Sequence, residues 1–455
     1  MTRATLIIGA SLLLACTSIA RAAPPAAKGV PTAATTVATP PATASKPAST
    51  APSLAEIQTF TRAFELIKRA YVEPVTDPQL IQSAIRGMLS GLDPHSEFLD
   101  HDELRDLNED TSGTYTGLGI EVAQVNHQLV IVTPIDGGPA KRAGIQPGDV
   151  IVAINGVPVL SDALDAAVKQ LRGPIGSRIT LAVVHPGSHH RVNVPLVRQR
   201  IRVASVTTRM LEPGFAYLRI SEFQDDTANE LTRALEKLQR QHGPLRGAVL
   251  DLRSNPGGLV TSAVGVADDF LASGVIVSTR GRLPQSDLTF RATPGDLLDG
   301  APMVVLVDNG TASAAEIVTG ALKDNHRALI MGRRTFGKGS VQTIMPLGNG
   351  DAVKLTTARY YTPNGTSIQA AGITPDIVLG NVNVSADRQP SLDDEEHESD
   401  LPNHLSGTHA ASHDRDAGDL AIKDYPLSEA LHVLEGMALA RQPAAPPAAA
   451  ATTTH

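Results

Sequence analysis

Apolar residues fall into two rhythms along this chain, separated by stretches that have neither. After Ser53, LAEIQTFTRAFELIKRAYV sets Leu54, Ile57, Phe60, Phe64, Ile67 and Tyr71 on one helical stripe, and Ser53 with Glu56 has capping-box spacing. A second helix is predicted from about Pro78 to Leu89, before the turn residues GLDPHS, so residues 53–112 read as an N-terminal helical region. Over 113–196 the period drops to two. GIEVAQ, QLVIVTPI, DVIVAING and RITLAVV alternate like half-buried strands, with a short helix in GGPAKRAG, closed by Gly144, and a longer one in SDALDAAVKQLRG. From 197 to 379 strand-like segments (GFAYLRISEF, RGAVLDLRSNPGG, APMVVLVDNGTAS) alternate with helical ones (DTANELTRALEKLQRQ, SAAEIVTGALKDN). The expected fold class is multidomain α+β: an α/β-type core carrying a small inserted strand-rich module and preceded by helices.

The remaining stretches carry no core. Residues 23–52 are almost all Ala, Pro, Thr, Ser, Lys and Val and read as a tether. Residues 380–423, with the acidic run DDEEHESD, read as a disordered loop, and DYPLSEALHVLEGMALAR restores helical periodicity at 424–441 before a low-complexity tail at 442–455. His404, His409 and His413 lie in the polar run without supporting acids in a tight pattern, so no metal is expected there. The first 22 residues have the short apolar core and Ala20-Arg21-Ala22 ending of a signal peptide. Cys16 in LLAC leaves two other readings open, a lipidated cysteine or an uncleaved anchor, and either would hold the protein at the inner membrane.

Composition narrows the chemistry. Cys16 is the single cysteine of 455 residues, so cleavage after Ala22 leaves no disulfide and no thiol nucleophile. Lys and Arg number 39 against 47 Asp and Glu, a net charge of −8 without a basic run, and aromatics make up 3%, which argues against a nucleic-acid partner.

The hydroxyl of Ser313 lies in DNGTASAAEIVTGALK, where a buried strand meets a helix and unpaired helix N–H groups stand ready for an oxyanion. Simple capping, with Glu316 three residues on, explains the same spacing. Lys338 sits between two glycines in TFGKGS. Were it deprived of water, its pKa would fall and it could act as a base toward a hydroxyl. Gly332 to Lys338 has P-loop spacing, but Gly339 replaces the required Ser or Thr and the strand-like VQTIMPL replaces the helix. A Ser-His-Asp triad would have His326 as its candidate, in a polar loop, and no G-x-S-x-G elbow surrounds Ser313.

GLGIEV at 117–122 and the run from Pro134 to Val157 resemble a PDZ domain in the permuted bacterial form, which implies that Leu118, Gly119 and Ile120 hold a peptide's C-terminal carboxylate. TASAAE, FGKGSVQT, the following TTARYYTPNGTSIQAAGITPD and DLRSNPGG at 251–258 resemble the C-terminal processing (tail-specific) peptidases of serine peptidase family S41. Thr311 stands where that family's motif has its first Ser. The resemblance implies Ser313 as nucleophile, Lys338 as base, Gln342 as its support, and Gly257 or Gly258 as oxyanion donor. It further implies no cofactor, extended or unfolded envelope proteins with free C-termini as substrates, and a homodimer or an activating adaptor as candidate partners, while the signal peptide and tether imply the periplasm. The rival expectation is a catalytically silent PDZ-containing scaffold.

Overall fold

The computed structural model describes residues 51–188, 190–380, 382 and 418–441. The expected signal peptide, Cys16, nearly all of the tether, most of the 380–423 loop with its three histidines, and the 442–455 tail lie outside the described residues. The chain divides into two compact units after Pro74. The first holds α1 (Leu54–Ala70), which Ser53 and Glu56 begin with a reciprocal capping box, and no residue of α1 is buried.

The second unit opens with α2 (Asp77–Ser90), capped by Thr76 and Gln79. A three-residue strand, Glu97–Leu99, and α3 (His101–Ser112) follow, and apolar periodicity announces neither. The sequence HDELRDLNEDTS has almost no apolar stripe. What starts α3 is Asp100, whose carboxylate accepts the Asp102 and Glu103 N–H groups while Glu103 returns to the Asp100 N–H.

The inserted module is one antiparallel sheet in the order Ile120–Val125, Gln128–Pro134, Val150–Ile154, Arg178–Val184, Arg191–Val197, with α4 (Pro139–Arg142) and α5 (Leu164–Leu171). Leu129, Ile131, Ile151, Leu181 and Leu164 fill its core. The chain enters and leaves it along a two-stranded antiparallel ribbon, Thr114–Gly117 against Gln199–Arg202.

In the core, six strands lie in the order Val206–Glu212, Phe215–Ile220, Gly247–Asp251, Met303–Val307, Leu329–Gly332, Ile377–Val378. The first pair is antiparallel and every other pair parallel. Strands buried on both faces should read as unbroken apolar runs, as GAVLD and MVVLV do. One face packs on α6 (Thr227–His242), α7 (Val260–Asp268) and α8 (Ala314–Asp324) through Leu231, Leu235, Val266, Val318 and Leu322. After α9 (Gly418–Lys423), α10 (Tyr425–Ala440) covers the other face with Leu427, Leu431 and Leu434 against Val249, Val304 and Leu306. Burial of each such leucine stabilises by about 2 kcal/mol. A second, antiparallel sheet pairs Ala352–Tyr361 with Glu97–Leu99, Val275–Gly281 and Ser340–Pro346.

Candidate active site

Ser313 is the last residue before α8 and has φ 55 and ψ −118, a left-handed conformation that costs a residue with a Cβ on the order of 1–3 kcal/mol. Its neighbours hold it there. Thr311, fully buried, donates its hydroxyl to the Leu252 carbonyl and accepts the Asp308 N–H; a serine could make the same two bonds. Ala312 N–H donates to the Asn255 carbonyl, and Ser313 N–H to the Glu316 carboxylate at 2.9 Å.

Glu316 is buried completely. It accepts from Ser313 N–H, Gly337 N–H and Lys338 N–H at 2.9, 2.8 and 2.9 Å, and from the Thr335 hydroxyl. One of its oxygens takes both the Ser313 and the Lys338 N–H, so the two backbones stand no farther apart than two hydrogen bonds. The capping-box spacing marked Glu316, but only the fold shows that its carboxylate ties two segments together. Burial pushes its pKa up against the pull of these four donors.

Lys338 is half-buried, and loss of solvent pulls its pKa below the ordinary lysine value. Lys354 acts in the same direction and Glu97 against it. The Tyr360 hydroxyl, from the neighbouring strand, donates to the Lys338 carbonyl, and burial pushes its pKa well up. Ser313 Oγ and Lys338 Nζ make no hydrogen bond to each other among the described residues. His95, in the DPHS turn, is held below the ordinary histidine pKa by burial and then by the Lys338 charge. Gln342 lies on the strand Ser340–Pro346, where its amide donates to Ser340 Oγ at 2.9 Å and Thr356 Oγ1 at 3.2 Å rather than to Lys338. Thr356 in turn donates to Asp93, so Gln342 joins the DPHS turn to the strand that follows Lys338.

The segment Asn255–Gly258 passes directly beneath Ser313. Gly257 has φ +107, and a Cβ there would lie 2.7 Å from Ser313 Cβ and 2.9 Å from the Ala312 oxygen. Its N–H is already donated to Asn255 Oδ1 at 2.9 Å. Phe223 N–H donates to the Gly257 carbonyl and Leu259 N–H to the Phe223 carbonyl, a ladder that skips the Gly258 N–H. Of the two glycines, Gly258 therefore keeps a free donor among the described residues, and so does Ala314 at the first helical position of α8. His326 lies beyond the far end of α8, an eleven-residue helix of about 16 Å, and is out of reach of Ser313.

In the module, Leu118 is buried and Gly119 takes φ +69 with its carbonyl accepting Ile135 N–H. Ile120 opens the edge strand. Between that strand and α5 lies a cavity of about 440 Å³, lined by Leu118, Ile120, Val122, Val168 and Leu171. Tyr115 also faces it, and burial pushes the pKa of its hydroxyl up. Arg172, at the end of α5, bonds Asp106 at 2.7 Å and Glu109 at 3.4 Å on α3.

Three family descriptions match the chain: peptidase family S41 over residues 214–379, PDZ domain over 130–184, and the N-terminal domain of the activating protease CtpB over 7–103. A carboxy-terminal-processing protease of Bartonella bacilliformis is 43% identical over 389 residues, 84% of this chain and 88% of that one. The chain belongs to peptidase family S41. As a member of the S41 family it is a serine-type peptidase with a PDZ domain, and its mixed α/β core with the inserted module is the architecture expected from the sequence. A "Probable CtpA-like serine protease" of Staphylococcus aureus is 36% identical over 331 residues, 71% of this chain and 65% of that one. Among solved structures, the photosystem II D1 C-terminal processing protease is 34% identical and covers 71% of this chain and 92% of its own, with a TM-score of 0.43. The S41 resemblance took in Tyr360 and Asn255, within TTARYYTPNG and DLRSNPGG, but assigned no part to them or to His95, because their parts depend on strands brought together from distant segments.

Proposed function

We propose that the protein hydrolyses peptide bonds in unfolded or extended envelope proteins, with Ser313 as nucleophile and Lys338 as its general base, after the PDZ domain has caught a free C-terminus. The observation that carries this reading is the buried Glu316 carboxylate, which takes the backbone N–H groups of both residues. Neutral Lys338 removes the Ser313 proton as Oγ attacks the carbonyl carbon. The oxyanion is met by the N–H groups of Gly258 and Ala314; its collapse breaks the C–N bond as Lys338 returns the proton to the leaving amine, and water, giving its proton to Lys338, hydrolyses the acyl-enzyme to the free acid and restores Ser313. The Tyr360 hydroxyl, donating to the Lys338 carbonyl, holds the backbone from which the lysine side chain projects. Gln342 supports Lys338 through the strand that begins at Ser340, two residues after the lysine, rather than by a direct bond. In the PDZ domain, Leu118, Gly119 and Ile120 take the terminal carboxylate and the edge strand pairs with the tail.

The leader-like first 22 residues support export to the periplasm, where such substrates are met. The test is a mass-spectrometric time course on an unfolded peptide with a free or an amidated C-terminus, using intact protein, S313A and K338A. The free-ended peptide is expected to be cut faster, and neither variant should cut. Cutting that survives in K338A removes the dyad, and equal cutting of both peptides removes the selection for tails.

A further inference from the structure

Arg253 is the first residue after the strand Gly247–Asp251 and its single Leu252 link, and it stands at the root of the Ser254–Gly258 segment that runs beneath Ser313. Its guanidinium is gripped from two sides. Nε and Nη2 donate to Asp251 at 2.9 and 2.6 Å, while Nη1 and Nη2 donate to Asp424 at 2.8 and 2.7 Å. Asp251 is wholly buried and also accepts the Tyr217 hydroxyl. Asp424 is the N-cap of α10, where it accepts Leu427 N–H at 3.1 Å.

Just beyond Arg253 the chain turns sharply. Ser254 adopts φ 54 and is held by Asp308, Asn255 donates to the Ile220 carbonyl, and Gly257 then comes against Ser313. A planar guanidinium bound in bidentate fashion on both edges cannot rotate, so it fixes both the position and the direction in which this segment leaves the sheet. Asp251 alone leaves the outer edge of the fork free to swing.

We infer that Asp424, 171 residues from Arg253 in sequence, is a positioning residue for the reaction. Through Arg253 it sets the root of the segment that presents the Gly258 N–H, which makes α10 part of the catalytic apparatus. The inference rests on the proposed roles of Ser313 and Gly258.

The test is D424N. Asparagine caps a helix as well as aspartate does, so α10 keeps its start while the charged, two-oxygen grip on Arg253 is lost. With the intact protein, D424N and S313A compared on one peptide, kcat of D424N is expected to fall about tenfold or more, since a donor misplaced by a fraction of an ångström weakens only the transition state. KM should stay within about twofold and the melting temperature should be close to that of the intact protein, two readings that a merely stabilising contact would not combine. The inference is overturned by an unchanged kcat, or by a loss of activity that only follows a lowered melting temperature. If S313A still cuts, the functional reading itself fails, independently of Asp424.

Discussion

Replacing Gly257 with alanine tests how tightly the segment under Ser313 is built. The added Cβ would stand 2.7 Å from Ser313 Cβ, 2.9 Å from the Ala312 oxygen and 3.0 Å from the Ala314 nitrogen, and φ is +107. Carbon atoms rest about 3.5–4.0 Å apart, so a gap of roughly 1 Å must open between the backbone of the proposed nucleophile Ser313 and the proposed oxyanion segment. A misplacement of about 1 Å costs on the order of 100-fold in rate, about 2.7 kcal/mol of transition-state stabilisation. The backbone strain of a Cβ at positive φ adds about 1–2 kcal/mol to the folded state. G243A separates the two effects: Gly243, the C-cap of α6, has φ +83 and nothing within 4 Å of the added Cβ. It should lose a similar amount of stability and keep its kcat. Steady-state peptide cleavage and thermal melting of both variants decide the matter. Either a G257A kcat within threefold of the intact protein or an equal loss of activity in G243A would refute the steric argument.

Three further outcomes are expected. The rate of acyl-enzyme formation should rise with pH as Lys338 loses its proton. Glu97 raises that pKa and Lys354 lowers it, so E97Q moves the rising limb to lower pH and K354M moves it higher, as a pH–rate profile of each would read. Burial raises the pKa of Asp269 from 3.8 to about 7, so the stability it contributes is full below about pH 4 and is lost as pH rises through 7. D269N should therefore be more stable than the intact protein at pH 8, by on the order of 2–4 kcal/mol in a urea titration, with little difference at pH 4. E316Q turns an amide NH₂ toward N–H donors in a buried site. It should lower both kcat, by at least about tenfold, and stability, by about 1–3 kcal/mol, measured by cleavage and melting.

The elements that could be read from the sequence are those with an apolar pattern of their own, whether or not the structure buries it. GAVLD and MVVLV are apolar throughout because both their faces are covered, and LAEIQTFTRAFELIKRA begins at a visible capping box. α3 escaped because its capping does what an apolar stripe does elsewhere. Ser313 and Lys338 stood out through their motifs, and the capping-box spacing made Glu316 visible for its bond to Ser313 alone. Local sequence cannot show that one carboxylate serves both Ser313 and Lys338, that Gly257 donates to Asn255 and leaves the free N–H to Gly258, or that Gln342 turns toward Thr356. Each of these depends on segments far apart in the chain. The Arg253–Asp424 grip is the extreme case, since DLRSNPGG and DYPLSEAL carry no mutual signal.

The ribbon of Thr114–Gly117 against Gln199–Arg202 bears on how the chain assembles. Because its two strands meet at the base of the inserted module, the core experiences everything between Gly117 and Gln199 as one closed loop. The entropy of closing a loop grows only with the logarithm of its length, about 0.6 kcal/mol per doubling. Most of that cost falls away once the module has formed its own sheet and brought its ends together. A module folded early thus acts as a clasp for the core, and a change in its size is cheap so long as the ribbon keeps its register.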